Sequence, residues 1–263
     1  MLPVHEVYAI KYAEHRRNAS VNFLGGDPHD GPMPMDYFVW LVRGPSGSWL
    51  VDTGFDRKAA EARGRTLLRL PAEGLALLGE AAAAIRNVIV THMHYDHAGT
   101  CEAFPAATFH LQDREMSFAT GRYMGHRCMN HAYSVLDVLR LVEYVHAGRV
   151  SFHDGDTELT PGLQLCLIGG HTLGLQAVRV HTARGWVVLA SDASHYYRNM
   201  EERRPFPIVL DVGKMVDGWA RLNALADSPD HVIPGHDPEV LRRYPAPSDG
   251  LSGIVAALHR PPG

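Results

Sequence analysis

Cysteine is scarce. The chain has three, Cys101, Cys128 and Cys166, an odd number at wide spacing. A disulfide framework is excluded on that pattern, and all three are expected as small buried apolar side chains. No stretch reaches the roughly 18 consecutive apolar residues of a membrane span. The segment up to Arg17 lacks the apolar core of a secretory signal and carries Glu6, Lys11, Glu14, Arg16 and Arg17 instead, so a cytoplasmic protein is expected. An excess of positive charge is missing too. With 25 basic against 29 acidic residues the formal charge is −4, and nucleic acid, which needs a basic face, is not an expected partner. Repeats, low-complexity tracts and Ser/Gly linkers are absent as well.

What remains is ordinary globular material. Hydrophobic residues make up 46% and charged residues 21% of 263 residues, enough to bury a sizeable core and far from disordered, collagenous or coiled-coil compositions. Histidine is the exception: 17 of them outnumber the 10 tyrosines and the 8 phenylalanines. Histidine is the commonest metal ligand, so its positions matter more than its abundance.

Along the chain, Tyr37–Val42 and Ser48–Val51 read as a hairpin around Gly44-Pro45-Ser46-Gly47, ending in Asp52-Thr53-Gly54. Residues 57–86 have helical spacing, interrupted near Pro71. The β-branched triplet Val88-Ile89-Val90 reads as a buried strand. Further strands are expected at 107–111, 163–168, 176–181, 186–190 and 232–233, and the proline-rich C-terminal stretch as irregular and partly frayed. Strands and helices mix throughout, which reads as two sheets covered by helices.

The strand at 88–90 feeds into His92-x-His94-x-Asp96-His97, four metal-competent side chains within six residues. After a strand the chain turns, so His92 and His94 can face one way and Asp96 and His97 another, which suits two adjacent ions better than one. Three more strand ends carry a His or Asp: Gly170-His171-Thr172, Ser191-Asp192-Ala193 and Pro234-Gly235-His236-Asp237. Any one alone would be an ordinary turn residue. Three in order after the hexapeptide read as a ligand set.

On these residues, together with Asp52-Thr53-Gly54, the chain resembles the metallo-β-lactamase superfamily. The resemblance implies an α/β fold over residues 1–263 as a single domain, an αββα sandwich of two mixed sheets flanked by helices. It implies one metal held by His92, His94 and His171, a second held by Asp96, His97 and His236, and Asp192 bridging both. Asp52 would orient a ligand histidine. Such a donor set suits two divalent ions, Zn2+ first, with iron, manganese or cobalt compatible. Water activated by the metal pair would attack a carbonyl.

Chain size and the surroundings of Asp192 most resemble the N-acyl homoserine lactonase group, implying a small-molecule lactone as substrate and a monomer or homodimer. In that group a tyrosine three residues after the bridging aspartate holds the substrate carbonyl. Here that position is His195, followed by Tyr196, and either is a candidate for the role. The Met-, Tyr- and His-rich segment 112–146, with residues 30–35, is expected to line the pocket, while Arg122 and Arg127 are read as surface arginines. A glyoxalase II-like thioester hydrolase is the alternative, disfavoured because only 27 residues follow His236. An iron-dependent redox protein of the same fold is another.

Overall fold

The computed structural model describes residues 2–263. Two sheets lie face to face. From edge to edge the first runs Val255–Ala257, Glu6–His15, Met35–Gly44, Gly47–Val51, Asn87–Ile89, Thr108–Gln112, Val150–His153, and Thr66–Leu67 also pairs with Glu6–His15. The pairs from Val255–Ala257 through Gly47–Val51 are antiparallel, and the rest of that path is parallel. The second sheet runs Val232–Pro234, Gly185–Ser191, Gln176–Thr182, Leu163–Leu167, Thr157–Thr160, antiparallel except for its first pair.

Strand alternation builds the layers. In Glu6–His15, Val7 and Ala9 point between the sheets and meet Leu165, Val178, Val180 and Leu189 of the second sheet. Tyr8, Ile10 and Tyr12 point the other way, into a core with Phe55, Leu75 and Leu141. The outer face of the second sheet, through Ala177, Val188 and Ala190, packs on Met215, Trp219 and Leu222 of the helix Val212–Leu225. Each strand face therefore has an apolar partner layer, and the expected αββα sandwich results. Among the described residues no helix is long and apolar enough to cross a membrane.

Several local expectations shift. The expected interruption near Pro71 separates two helices, and Pro71 itself opens the second, Pro71–Ala76, where its missing N–H costs nothing. The preceding helix, Arg57–Arg63, ends on Gly64 in the left-handed conformation (φ 64°), and the chain then adds Thr66–Leu67 to the first sheet. The C-terminal stretch is not frayed: Val255, Ala256 and Ala257 are buried and form the edge strand beside Tyr8–Ile10. Of the cysteines, Cys101 and Cys166 are buried as expected, whereas Cys128 is exposed on the short helix Arg127–Asn130.

Candidate metal centre

Five strand ends converge on one edge of the sandwich, and two of them turn through a left-handed residue. Asp52 follows Gly47–Val51 with φ 63°, and Ser191 ends Gly185–Ser191 with φ 46°. Both are non-glycine residues in the left-handed region, a local strain that persists only where surrounding contacts over-determine it. Those contacts are present. The Asp52 carboxylate accepts from Thr91 N (2.7 Å), Thr91 Oγ1 (2.8 Å) and His97 Nδ1 (2.7 Å). Thr91 Oγ1 also lies 2.8 Å from Ser191 Oγ. The two strained corners are thus tied through one threonine.

The histidines are locked from behind. His97 Nδ1 donates to Asp52, His171 Nδ1 to the Ile208 carbonyl (2.6 Å) and His236 Nδ1 to the Asp36 carbonyl (2.9 Å). Each such bond fixes the tautomer and leaves the Nε2 lone pair facing the centre. Two glycines permit the approach. A Cβ at Gly170 would sit 2.7 Å from the Met215 backbone, and one at Gly235 would sit 2.8 Å from Asp192 Oδ1.

The ligand atoms fall into two groups. His92 Nε2, His94 Nδ1 and His171 Nε2 form a triangle with sides of 3.0–3.2 Å. One face of a tetrahedral zinc site has edges of roughly 3.3 Å for Zn–N bonds of about 2.0–2.1 Å. Asp192 Oδ2 completes this group, 3.3 Å from His171 Nε2 and 3.8 Å from His92 Nε2. The other oxygen, Oδ1, lies 2.9 Å from His236 Nε2 and 3.3 Å from His97 Nε2. Asp96 Oδ2 is 3.9 Å from His97 Nε2 and 4.0 Å from His236 Nε2. All seven side chains are buried. His97 Nε2 and Asp192 Oδ1 have no hydrogen-bond partner, which in a buried site calls for a ligand. The residues present fit divalent metal.

Electrostatics agrees. Burial, then the neighbouring imidazoles, push His92 and His94 well below the ordinary histidine value, leaving neutral rings with lone pairs. At His97 burial also opposes charge, but Asp192, Asp52 and Asp96 outweigh it and raise the value well above normal. The position where three carboxylates draw a proton is where a cation is favoured.

His195 and Tyr196 part company. His195 is buried, stacks on Phe206 with ring centroids 3.5 Å apart, and places Nε2 3.0 Å from Asp192 Oδ2. Burial lowers its value to about 3, so the ring is neutral. Tyr196 turns away: its hydroxyl lies 3.5 Å from the Met33 carbonyl, in a neighbouring depression lined by Pro32 and Pro34. The phenols that line the cavity over the ligands are Tyr37 and Tyr95.

That cavity holds about 70 Å³, and the segment 112–146 contributes only His131 and Ala132 to it. Part of the segment instead lines an apolar groove of about 500 Å³, through Met124, Tyr133, Val138 and Leu139 among others, and the groove shares His131 with the cavity. Of residues 30–35 only Met35 reaches the cavity. Sequence reading also missed Glu115. Fully buried in Asp113–Ala119, it accepts from Met93 N (3.0 Å), Tyr133 Oη (2.9 Å), Thr172 Oγ1 (2.6 Å) and Gly174 N (3.1 Å). It binds the loop of His92 and His94 to the loop of His171. Nothing in the sequence marks it, because a glutamate in a first helical turn is usually a solvated one.

Comparison with known proteins accords with this geometry. A probable metallo-hydrolase of Mycobacterium tuberculosis is 28% identical over 233 residues, covering 77% of this chain and 72% of the relative. An N-acyl homoserine lactonase of Bacillus cereus is 29% identical over 185 residues, covering 64% and 68%. Among solved structures, a quorum-quenching N-acyl homoserine lactone lactonase superimposes with a TM-score of 0.74 at 25% identity, covering 91% of this chain and 94% of that one. Residues 33–236, which include every ligand above, match the model of the metallo-β-lactamase superfamily. The chain is a member of that superfamily.

Proposed function

We propose that the chain is a dinuclear metallohydrolase that opens a lactone, a cyclic ester, with zinc as the ion best matched to its donors. One observation carries the dinuclear reading: the two oxygens of Asp192 face two different donor groups, Oδ2 toward His171 and His92, Oδ1 toward His236 and His97. The lactone is supported by the likeness to lactonases in sequence and in fold.

A bound ion pair supplies water activation near neutral pH and polarisation of the ester carbonyl. The chain's own residues do the rest. Asp52, Ile208 O and Asp36 O hold three imidazoles in the tautomer that presents Nε2. Neutral His195, clamped flat against Phe206, donates its Nε2–H to Asp192 Oδ2 and would share that proton with an oxygen seated beside it. An ester oxygen seated there would accept that proton's hydrogen bond more strongly as charge develops on it. His195→Ala is therefore expected to lower kcat about 10²–10³-fold at unchanged metal content. Tyr196→Phe, whose hydroxyl lies outside the cavity, is expected to keep kcat within about twofold. Near-normal kcat in His195→Ala, or loss only in KM, would make His195 a wall residue.

The substrate reading is tested by one panel on the metal-loaded protein: acyl homoserine lactones, aryl lactones and a thioester. Ring opening with release of one proton per turnover is the expected result. A thioester turned over much faster than every lactone would replace the ester by the thioester.

A further inference from the structure

Three arginines, Arg17, Arg63 and Arg65, line the small cavity over the candidate metal ligands. Among the described residues none of them has a carboxylate within 4 Å, although the chain forms ion pairs readily elsewhere. Each is held in place by uncharged acceptors. Arg63 lies over the Tyr95 ring at 3.9 Å and donates to the carbonyls of His131 (2.9 Å) and Tyr133 (3.3 Å). Arg65 donates Nε–H to Tyr95 Oη (3.1 Å) and Nη1 to the Arg63 carbonyl (2.6 Å), with His15 Nε2 at 3.2 Å. Among the described residues its Nη2 has no hydrogen-bond partner. Arg17 donates Nη2 to the Val21 carbonyl (2.9 Å) and sets Nη1 against the Met35 sulfur at 3.4 Å, a weak acceptor.

Oriented cations with no carboxylate partner leave a local positive field at the cavity that favours an anion. The nearby carboxylate, Asp96, belongs to the ligand set and faces His97 and His236. Any divalent ion there adds positive charge and leaves the arginines still less compensated. Arg63 and Arg65 are brought to the cavity because Gly64 ends the helix sharply and Thr66–Leu67 pairs with Glu14 and Ala13.

We propose that Arg17 and Arg65, with Arg63 behind them, form an anion subsite that takes a carboxylate carried by the substrate itself. Resting on the hydrolase reading above, this assigns the substrate class: a lactone or ester bearing a carboxylate close to the scissile bond. The cavity's small volume, about 70 Å³, favours a carboxylate over a bulkier anion when the ester carbonyl must share the space. Charged hydrogen bonds contribute about 1.5–3 kcal/mol each, or roughly 10–100-fold in binding.

The test pairs two ring lactones of equal shape on the metal-loaded protein, 5-oxotetrahydrofuran-2-carboxylate and its carboxamide. The carboxylate is expected to show kcat/KM about 10–100-fold higher, mainly through KM, with the ratio shrinking as salt rises. Arg65→Gln, and further Arg17→Gln with it, should collapse the ratio toward one, and Arg65→Lys should restore part of it. A ratio near one in the wild type, or a ratio that survives the double variant, overturns the subsite; the second result would credit the metals with the preference. Should neither lactone turn over, the hydrolase reading still rests on the panel above, and the subsite is judged separately by calorimetry with tetrahydrofuran-2-carboxylate and its carboxamide. Tighter carboxylate binding that disappears with Arg65→Gln supports it, and equal binding of the two probes overturns it.

Discussion

Asp192→Asn is expected to leave the protein folded but with at most one firmly held ion per chain and turnover reduced on the order of 10³-fold. The substitution is nearly isosteric, so packing around a side chain 3% exposed is preserved. What it removes is the second anionic oxygen between the two donor groups. Burial raises the Asp192 carboxyl, yet His236, His97 and His195 outweigh that and hold it well below the ordinary aspartate value, so the group is charged at working pH. An amide offers one neutral oxygen and a nitrogen that cannot ligate. The metal-free melting temperature should change little, while stabilisation by added zinc should shrink, since a ligand stabilises only in proportion to its affinity for the folded state. Full activity with two bound ions would remove Asp192 from the bridge.

Glu115→Ala should produce the largest loss of stability of any single change near the centre, about 3–5 kcal/mol. Truncation leaves the backbone N–H groups of Met93 and Gly174 without their acceptor, along with the hydroxyls of Tyr133 and Thr172. Each buried unsatisfied donor costs about 1–3 kcal/mol. At about 2–4 °C per kcal/mol for a chain of this order of size, the melting temperature should fall roughly 6–20 °C. The His92–His94 and His171 loops would also lose their common anchor, so affinity in the three-histidine group should weaken about 10–100-fold, as for other residues that orient ligands. Thermal melts and zinc titration against a competing chelator read the two effects separately. An unchanged melt and unchanged affinity would show that the loops hold themselves.

The contrast between Glu115 and the ligands explains what was legible in the sequence. His92, His94, Asp96 and His97 stand together, and His171, Asp192 and His236 each follow an apolar strand, so local pattern alone marks them. Asp52 is visible for the same reason. Glu115, Arg63 and Arg65 matter mostly through partners 18 to 70 residues away, and no local periodicity encodes those contacts. The arginines at 122 and 127, within the expected pocket segment, do not line the cavity. The Val255–Ala257 strand was hidden for a related reason: three residues among turns carry too little alternation to register, and pairing with Glu6–His15 decides their conformation. His195 and Tyr196 were inseparable by offset. The backbone decides between them, because Tyr196 opens the helix Tyr197–Glu201 with its ring directed into the core while the preceding residue faces the ligands.

Metal content of the purified protein tests the central claim most directly. Two donor groups sharing Asp192 predict close to two equivalents of divalent metal per chain by elemental analysis after saturation with zinc and removal of loosely bound ions. Activity should rise with the second equivalent. One tightly held equivalent, with the second group empty at saturating zinc and full turnover already reached, would contradict a dinuclear centre.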